Sequence, residues 1–225
     1  MIERALIFSA GRGERMRPLT DATPKPLLDV GGKPLIVWHL EKLSAAGVRE
    51  VVINTSHLAE QFPVALGDGS IWSLRIHYSH EGPQALETGG GMLKALPLLG
   101  DTPFIALNGD IWTDFDFSKL QQNPPGLAHL AVVDNPVHHP YGDFVLRDGM
   151  LHDEVQPRLT FAGIGVYRPE LLSGRAPGKF STIPILRAAM RAGQVSGEHH
   201  RGTWSDIGTP QRLAELDRAL RLAAE

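Results

Sequence analysis

The sequence predicts an α/β protein. Its centre is a Rossmann-like, mostly parallel sheet flanked by helices, with a small antiparallel annex. Three observations carry this. Short apolar runs at 5–8, 51–53 and 103–107 alternate with stretches of helical periodicity at 35–46 and 88–96. Polar or glycine-rich segments (Ser9 to Gly13, Asn54-Thr55, Glu81, Asn108-Gly109-Asp110) follow the apolar runs, as ligand-binding segments do at the carboxyl edge of such sheets. From about Gly126 the pattern changes to strand-like segments at 127–133, 143–146, 150–155 and 160–167, with Arg147-Asp148-Gly149 as a turn between two of them.

The first run, Ala5 to Phe8, is a buried strand. Ser9, Ala10, Gly11 and Gly13 follow; with side chains nearly absent, backbone N–H groups can approach an anion. Arg12, Arg15, Arg17 and Lys25 then place four cations in one loop, as a polyphosphate site requires. No Gly-Lys-Ser/Thr is present, so this is not a P-loop. Met16 stands where a dinucleotide fingerprint needs its third glycine. Pro18, Pro24 and Pro26 oppose an immediate helix, so the stretch is a long loop.

A helix follows Lys33-Pro34, carrying Leu35, Ile36, Trp38, Leu40, Leu43 and Ala46 and stopped by Gly47. Val51-Val52-Ile53 is the second strand. A short helix lies within 58–66, broken by Pro63 or starting near it. Leu74, Ile76 and Tyr78 alternate as a strand, 88–96 is a helix, and 103–107 is a further buried strand. After the annex, 183–192 is predicted helical and 195–201 extended; a last helix at 209–223 has Thr209 as cap and Pro210 in its first turn. The expected organisation is a single domain over 1–225: a nucleotide-binding core (1–125), an annex (126–180), and a closing strand and helix (181–225). No internal repeat or low-complexity segment is visible.

The 225 residues suffice for a substantial core, and a formal net charge of −3 argues against a nucleic-acid footprint. There are no cysteines, which excludes disulfides, thiolate metal sites and a cysteine nucleophile. Glu3 and Arg4 come directly after Met1-Ile2, without a signal-peptide layout, and no apolar run approaches ~20 residues. The expectation is a cytoplasmic protein without a membrane span. The ten histidines include the sequential pairs His138-His139 and His199-His200, which lack metal-ligand spacing. Most are expected at the surface or behind the site.

Gly11-Arg12-Gly13-Glu14-Arg15-Met16-Arg17-Pro18-Leu19-Thr20, followed by Pro24-Lys25-Pro26, resembles the signature of the sugar-1-phosphate nucleotidyltransferases without a gap. The resemblance implies the nucleotide-diphospho-sugar transferase fold, with the annex on the acceptor side. It also implies that the amides of Ala10, Gly11 and Gly13, together with Arg15, hold a nucleoside triphosphate, and that Lys25 reaches its reacting phosphate. Lys25 and Arg15 are thus the implied catalytic cations. Asn-Gly-Asp at 108–110 is by itself a turn signal. The family, however, has one Asp after its middle strand and another in Trp-x-Asp-x-Gly-Thr, matched here by Asp110 and by Asp206 in 204–209. By resemblance these two hold Mg²⁺, a hard cation that takes carboxylate, phosphate and water oxygens; the alternative for Asp206 is a helix cap.

In the family the segment 81–91 lines the nucleobase. Glu81 is then either an acceptor for the N3–H of uracil or an exposed turn residue. The Thr88-Gly89 start of a glycine-rich helix would approach phosphate or ribose, and Asn54 joins the nucleotide site. Asn108, Tyr141-Gly142-Asp143 and Gly163 are the implied acceptor contacts. The family's Glu-Lys-Pro is replaced by Val155-Gln156-Pro157, so the lysine for the sugar phosphate is missing; Arg158 and Arg201 are candidate substitutes.

The short chain, the Glu-Thr-Gly-Gly-Gly variant and the lost lysine are most similar to members that move a uridylyl group from UTP to a sugar 1-phosphate bearing a lactyl carboxylate. Rival readings are a mannose- or glucose-1-phosphate guanylyl- or uridylyltransferase, a small cytidylyltransferase, and a non-catalytic nucleotide-sugar sensor. A dehydrogenase fails on its glycine fingerprint. Oligomeric state, monomer or homodimer, is left open.

Overall fold

A computed structural model describes residues 2–120, 123–155 and 157–223. Gln156, the residue in place of the family lysine, lies outside them. In chain order the elements are β1 (Arg4–Phe8), α1 (Leu19–Ala22), β2 (Asp29–Val30), β3 (Lys33–Pro34), α2 (Leu35–Ala45), β4 (Glu50–Thr55), α3 (Gln61–Leu66), β5 (Arg75–His80), α4 (Glu87–Leu99), β6 (Phe104–Asn108), β7 (Ile111–Thr113), β8 (Ala128–Val133), β9 (Val145–Arg147), β10 (Met150–His152), β11 (Thr160–Tyr167), α5 (Ile183–Arg191), β12 (Val195–His199), β13 (Trp204–Asp206) and α6 (Pro210–Leu222).

Nine strands form one sheet in the order β5-β4-β1-β6-β11-β8-β12-β10-β9. The four at one end, β5, β4, β1 and β6, are mutually parallel. β11 runs against both β6 and β8, whereas β12 is parallel to β8. The β9–β10 hairpin finishes the far edge. Only β10 and β11 run against the common direction, so the predicted mostly parallel sheet is found. The segments that look antiparallel in sequence extend this same sheet. β11 carries the main reversal, and its bulge between Phe161 and Ile164 sits where it starts beside the carboxyl end of β6.

Period-two alternation divides the core between the two faces. Ala5, Ile7, Val51 and Ile53 pack with Ile36, Leu40 and Leu43 of α2 on one face. Leu6, Val52 and Ala106 pack with Met92 of α4 and with Leu186 and Met190 of α5 on the other. Each fully buried Leu or Ile of this kind stabilises the fold by roughly 2 kcal/mol. A third cluster joins Met16, Val30, Leu35, Ile207 and Leu216, which fastens the closing helix α6 to the glycine-rich loop. Asp217 in α6 strengthens that attachment by accepting the Gly31 N–H at 2.8 Å.

Element boundaries shift for local reasons. The three prolines do not leave the first loop irregular: it coils into single turns at Glu14–Met16, Leu19–Ala22 and Lys25–Leu27. α4 runs three residues past the expected end, to Leu99, with Pro97 inside it. The residue lacking an N–H there lies in the last turn, where little helix follows to be disrupted. β7 and β13 show no periodic signal in sequence, yet they pair antiparallel and set Asp206 opposite Ile111. No helix among the described residues is long and apolar enough to cross a membrane.

Candidate active site

The carboxyl ends of β1, β4 and β6 open into a cleft of about 570 Å³. Ala10, Gly11, Gly13, Arg15, Lys25, Asn54, Glu81, Thr88, Asn108 and Asp110, all singled out from sequence, line it. Ala85, within the expected base-side segment, also lines it; Phe8, Met16 and Gly208 contribute as well, and sequence reasoning gave them no role in the site. Phe8 and Met16 are apolar residues flanking the loop and carry no chemical signal of their own.

The loop geometry has local causes. Gly13 has φ of 66°, in the left-handed region, and a Cβ there would lie 3.0 Å from the Thr20 methyl and 3.2 Å from Lys25 Cβ. Its carbonyl accepts the Met16 N–H at 2.8 Å and the Thr20 hydroxyl at 2.9 Å, which closes the loop over Lys25. Around Gly11 a Cβ would meet nothing within 4 Å, so this stretch of backbone is open to the cleft. Of the four loop cations, Lys25 and Arg15 face the cleft. Arg17 turns away to Asp21 at 2.7 Å, and Arg12 is exposed outside the lining.

Lys25 is buried, and its Nζ donates to Asp110 Oδ2 at 2.6 Å. Asp110 follows β6 through the Asn108-Gly109 turn. Gly109 N–H donates to the Phe8 carbonyl at 2.9 Å, and a Cβ on Gly109 would fall 2.8 Å from that oxygen. The glycine therefore lets β6 close on β1 and aims Asp110 at the glycine loop. The turn reading of Asn-Gly-Asp is realised, and it leaves Asp110 in the cleft lining. Behind Asp110, buried His39 on α2 donates Nε2–H to the Ile111 carbonyl at 2.8 Å, while its Nδ1 has no partner among the described residues. Burial, above all, pulls the His39 pKa down to about 4. His39 and His129 are the two buried histidines, and the other eight are partly or fully exposed.

The β7–β13 pairing brings Asp206 to the same corner, with Ile207 N–H donating to the Asp110 carbonyl at 2.8 Å. Asp206 is not part of the cleft lining itself. Its Oδ1 takes Arg212 Nη1 at 2.5 Å and stands 2.8 Å from His138 Nε2. Its Oδ2 lies 3.1 Å from where a Cβ on Gly208 would sit, and Gly208 does line the cleft. Thr209 accepts the Arg212 N–H and caps α6, so Asp206 is not the cap. The oxygen donors at this corner suit a hard divalent cation. Among the described residues no cluster of three or more His, Asp or Glu converges on one point. Such a cation would therefore complete its shell with phosphate and water oxygens.

Glu81 is not the exposed turn residue of the second alternative. It is only 7% exposed, and both oxygens are engaged: Oε1 accepts from Asn54 Nδ2 and Oε2 from Leu86 N–H, each at 2.6 Å. Asn54 Oδ1 in turn accepts the Ser9 N–H at 2.6 Å. A buried relay thus runs from the glycine loop through Asn54 and Glu81 to the segment before α4. Burial pushes the Glu81 carboxyl above its usual range.

The glycines of α4 also serve a different end from the one expected. The Gly89 and Gly90 N–H groups donate to the Phe180 carbonyl at 2.9 and 3.0 Å, so they are not offered to phosphate. A Cβ on Gly89 would strike the Phe180 ring at 2.3 Å, and one on Gly91 would reach Glu81 Oε1 at 2.3 Å. Thr88 Oγ1 pairs with Thr182 at 2.9 Å. Close packing against the 178–182 segment and the relay explains the glycine run.

The acceptor-side residues are only partly assembled. Gly163, with φ of 73°, lies against Asn108: a Cβ there would meet its Nδ2 at 2.5 Å. Tyr141, Gly142 and Asp143 do not line the cleft. Asp143 Oδ2 accepts the Phe161 N–H at 2.8 Å and Oδ1 faces His139 at 3.2 Å, which holds the start of β11. Tyr141 is 74% exposed. Arg158 Nε is spent on the Glu154 carbonyl at 2.5 Å, and Arg201 is exposed.

A glycine-rich loop faces a Lys–Asp pair at the carboxyl edge of a mostly parallel sheet, an arrangement suited to a nucleoside triphosphate. Residues 4–142 match the nucleotidyl transferase family, and the chain belongs to it. It is 52% identical to an N-acetylmuramate alpha-1-phosphate uridylyltransferase of Neisseria meningitidis, over 94% of this chain and 96% of that one. A protein of the same name from Caulobacter vibrioides is 35% identical, over 97% and 96%. A mannose-1-phosphate guanylyltransferase catalytic subunit beta of Drosophila pseudoobscura is 32% identical, but this chain spans only 60% of it. In fold, a putative glucose-1-phosphate thymidylyltransferase from Bacillus anthracis superposes with a TM-score of 0.86 at 19% identity, covering 97% of this chain and 95% of that one. The enzyme is thus a nucleotidyltransferase of the sugar-1-phosphate class.

Proposed function

We propose that the enzyme transfers a uridylyl group from UTP to N-acetylmuramate 1-phosphate, giving UDP-N-acetylmuramate and pyrophosphate. A cytoplasmic enzyme of this kind would return a cell-wall amino sugar to the nucleotide-sugar pool. The observation that carries the transfer chemistry is the Lys25–Asp110 pair, 2.6 Å apart, facing the open backbone of the glycine loop in one cleft. The choice of base and sugar rests on the likeness over nearly the full chain to the two relatives named for that reaction.

The acceptor phosphate is already anionic at neutral pH, so its oxygen needs no general base. It attacks the α-phosphorus in line. The new P–O bond forms as the bond to the β-phosphate breaks, and pyrophosphate leaves with the electron pair. The obstacle is repulsion between two polyanions. Lys25 and Arg15 offset it at the α-phosphate and the leaving group, and the amides of the 10–13 loop orient the triphosphate. Asp110 and Asp206 are the residues that would hold Mg²⁺, whose contribution is further charge neutralisation at the same phosphate. The Ser9–Asn54–Glu81–Leu86 relay fixes the phosphate loop relative to the base-side segment.

The test is pyrophosphate release across the four nucleoside triphosphates and a panel of sugar 1-phosphates, with Mg²⁺ supplied. The expected pair is UTP with N-acetylmuramate 1-phosphate. Preference for GTP with mannose 1-phosphate would overturn the substrate assignment. Binding without release for every pair would overturn catalysis.

A further inference from the structure

Both carboxylates at the metal corner already carry a side-chain cation. Asp110 has Lys25, and Asp206 has Arg212 with His138 beside it. The two cations differ in kind. Lys25 lines the cleft, as expected of a group that meets phosphate, whereas Arg212 is outside the lining. Arg212 sits in the first turn of α6, and its guanidinium is held from several sides. Its Nη1 reaches both Asp206 Oδ1 and His138 Nε2, the latter at 2.8 Å. Its Nη2 lies 2.5 Å from where a Cβ on Gly208 would be. The side chain is 18% exposed, and that of Asp206 26%. In so sheltered a position the pair is screened less than a surface ion pair. An always-charged guanidinium therefore competes with any other cation for Asp206.

We propose that Arg212 is the resident counter-ion of the metal site. In the nucleotide-free protein it neutralises Asp206, so the corner has little net charge with which to attract a divalent cation from water. The free protein then binds such a cation weakly, and the cation enters together with the triphosphate, whose charges tip the exchange. The loss of Arg212 would leave Asp206 as an uncompensated carboxylate beside Asp110, which raises divalent-cation affinity even as it disturbs the α6 junction. If Arg212 served only to orient Asp206, its loss would do the reverse. This inference rests on the reading of Asp110 and Asp206 as metal-holding residues.

The experiment is a titration of the intact protein with Mn²⁺ alone, followed by the electron paramagnetic resonance signal of the free ion, without nucleotide and without turnover. Wild type is expected to bind weakly. Arg212→Gln is expected to bind about tenfold more tightly, a gain of about 1.4 kcal/mol. Unchanged or weaker Mn²⁺ binding by Arg212→Gln, alongside lost binding in Asp206→Asn, would overturn the counter-ion role and leave the metal reading standing. Wild-type Mn²⁺ binding in both Asp206→Asn and Asp110→Asn would overturn the metal reading itself, and the inference with it. Circular dichroism checks folding. If Arg212→Gln does not fold, Arg212→Met replaces it, keeping the aliphatic stem but removing the charge; it too is expected to bind Mn²⁺ about tenfold more tightly, and no gain overturns the proposal.

Discussion

Lowering the pH should weaken this enzyme through one interior side chain, His39. The residue is 1% exposed, donates Nε2–H to the Ile111 carbonyl, and leaves Nδ1 without a partner among the described residues. A second proton would have to sit on that buried nitrogen, and burial accordingly lowers its pKa from 6.5 to about 4. The sign follows. Below pH 6.5 the unfolded chain binds a proton that the folded one refuses, so stability falls as pH drops and continues to fall until the folded pKa near 4. With those two values the loss between pH 7 and pH 5 is about 2 kcal/mol, and it reaches roughly 3 kcal/mol by pH 4. His39→Gln keeps an N–H donor for Ile111 but has nothing to titrate. Urea unfolding of wild type and variant at pH 7 and pH 5 gives the comparison. Wild type should lose about 2 kcal/mol more than the variant over that interval. Equal losses would show that His39 is not excluded from protonation in the folded state. Because Ile111 directly follows Asp110, the same step should loosen the corner that carries Asp110, and turnover should fall along with stability.

Two further substitutions probe the cleft. Lys25→Met removes the cation facing the glycine loop and should lower kcat by about 10²- to 10³-fold with the circular dichroism spectrum unchanged; turnover within threefold of wild type would displace Lys25 from the reaction. Gly91→Ala puts a methyl group 2.3 Å from Glu81 Oε1 and 2.6 Å from Asn54 Nδ2, so the relay must part. A destabilisation of about 1–3 kcal/mol and a rise in KM for the triphosphate larger than the fall in kcat are expected, by denaturant titration and steady-state kinetics. An unaltered unfolding midpoint would mean that the relay yields without cost.

Much of the site was legible because its parts are local. Gly11, Gly13 and Lys25 sit in one short loop, whose composition suits phosphate whatever the rest of the chain does. Asn54 and Asn108 were found because apolar runs end at them. Glu81 was left between two readings because a glutamate followed by Gly-Pro looks solvent-exposed in isolation. Its burial depends on Asn54 and on the space left by Gly91. The α4 glycines suggested a phosphate only until Phe180 is seen to occupy their N–H groups. Asp143 carries a family-like motif, yet its carboxylate is spent on Phe161 and His139.

Local order along the chain is what the amino-acid sequence alone could determine: the strand and helix alternation, the two-faced apolar pattern, the glycine loop and its cations. Those features depend on neighbours a few residues apart, where periodicity and steric preference act. Only tertiary structure decided that three-residue strands at 111–113 and 204–206 pair and bring Asp206 to Asp110, and that Arg212 then claims Asp206. Pairings of that sort gain their energy from contacts between distant segments, and segments so short leave no repeating pattern in the chain from which to foresee them.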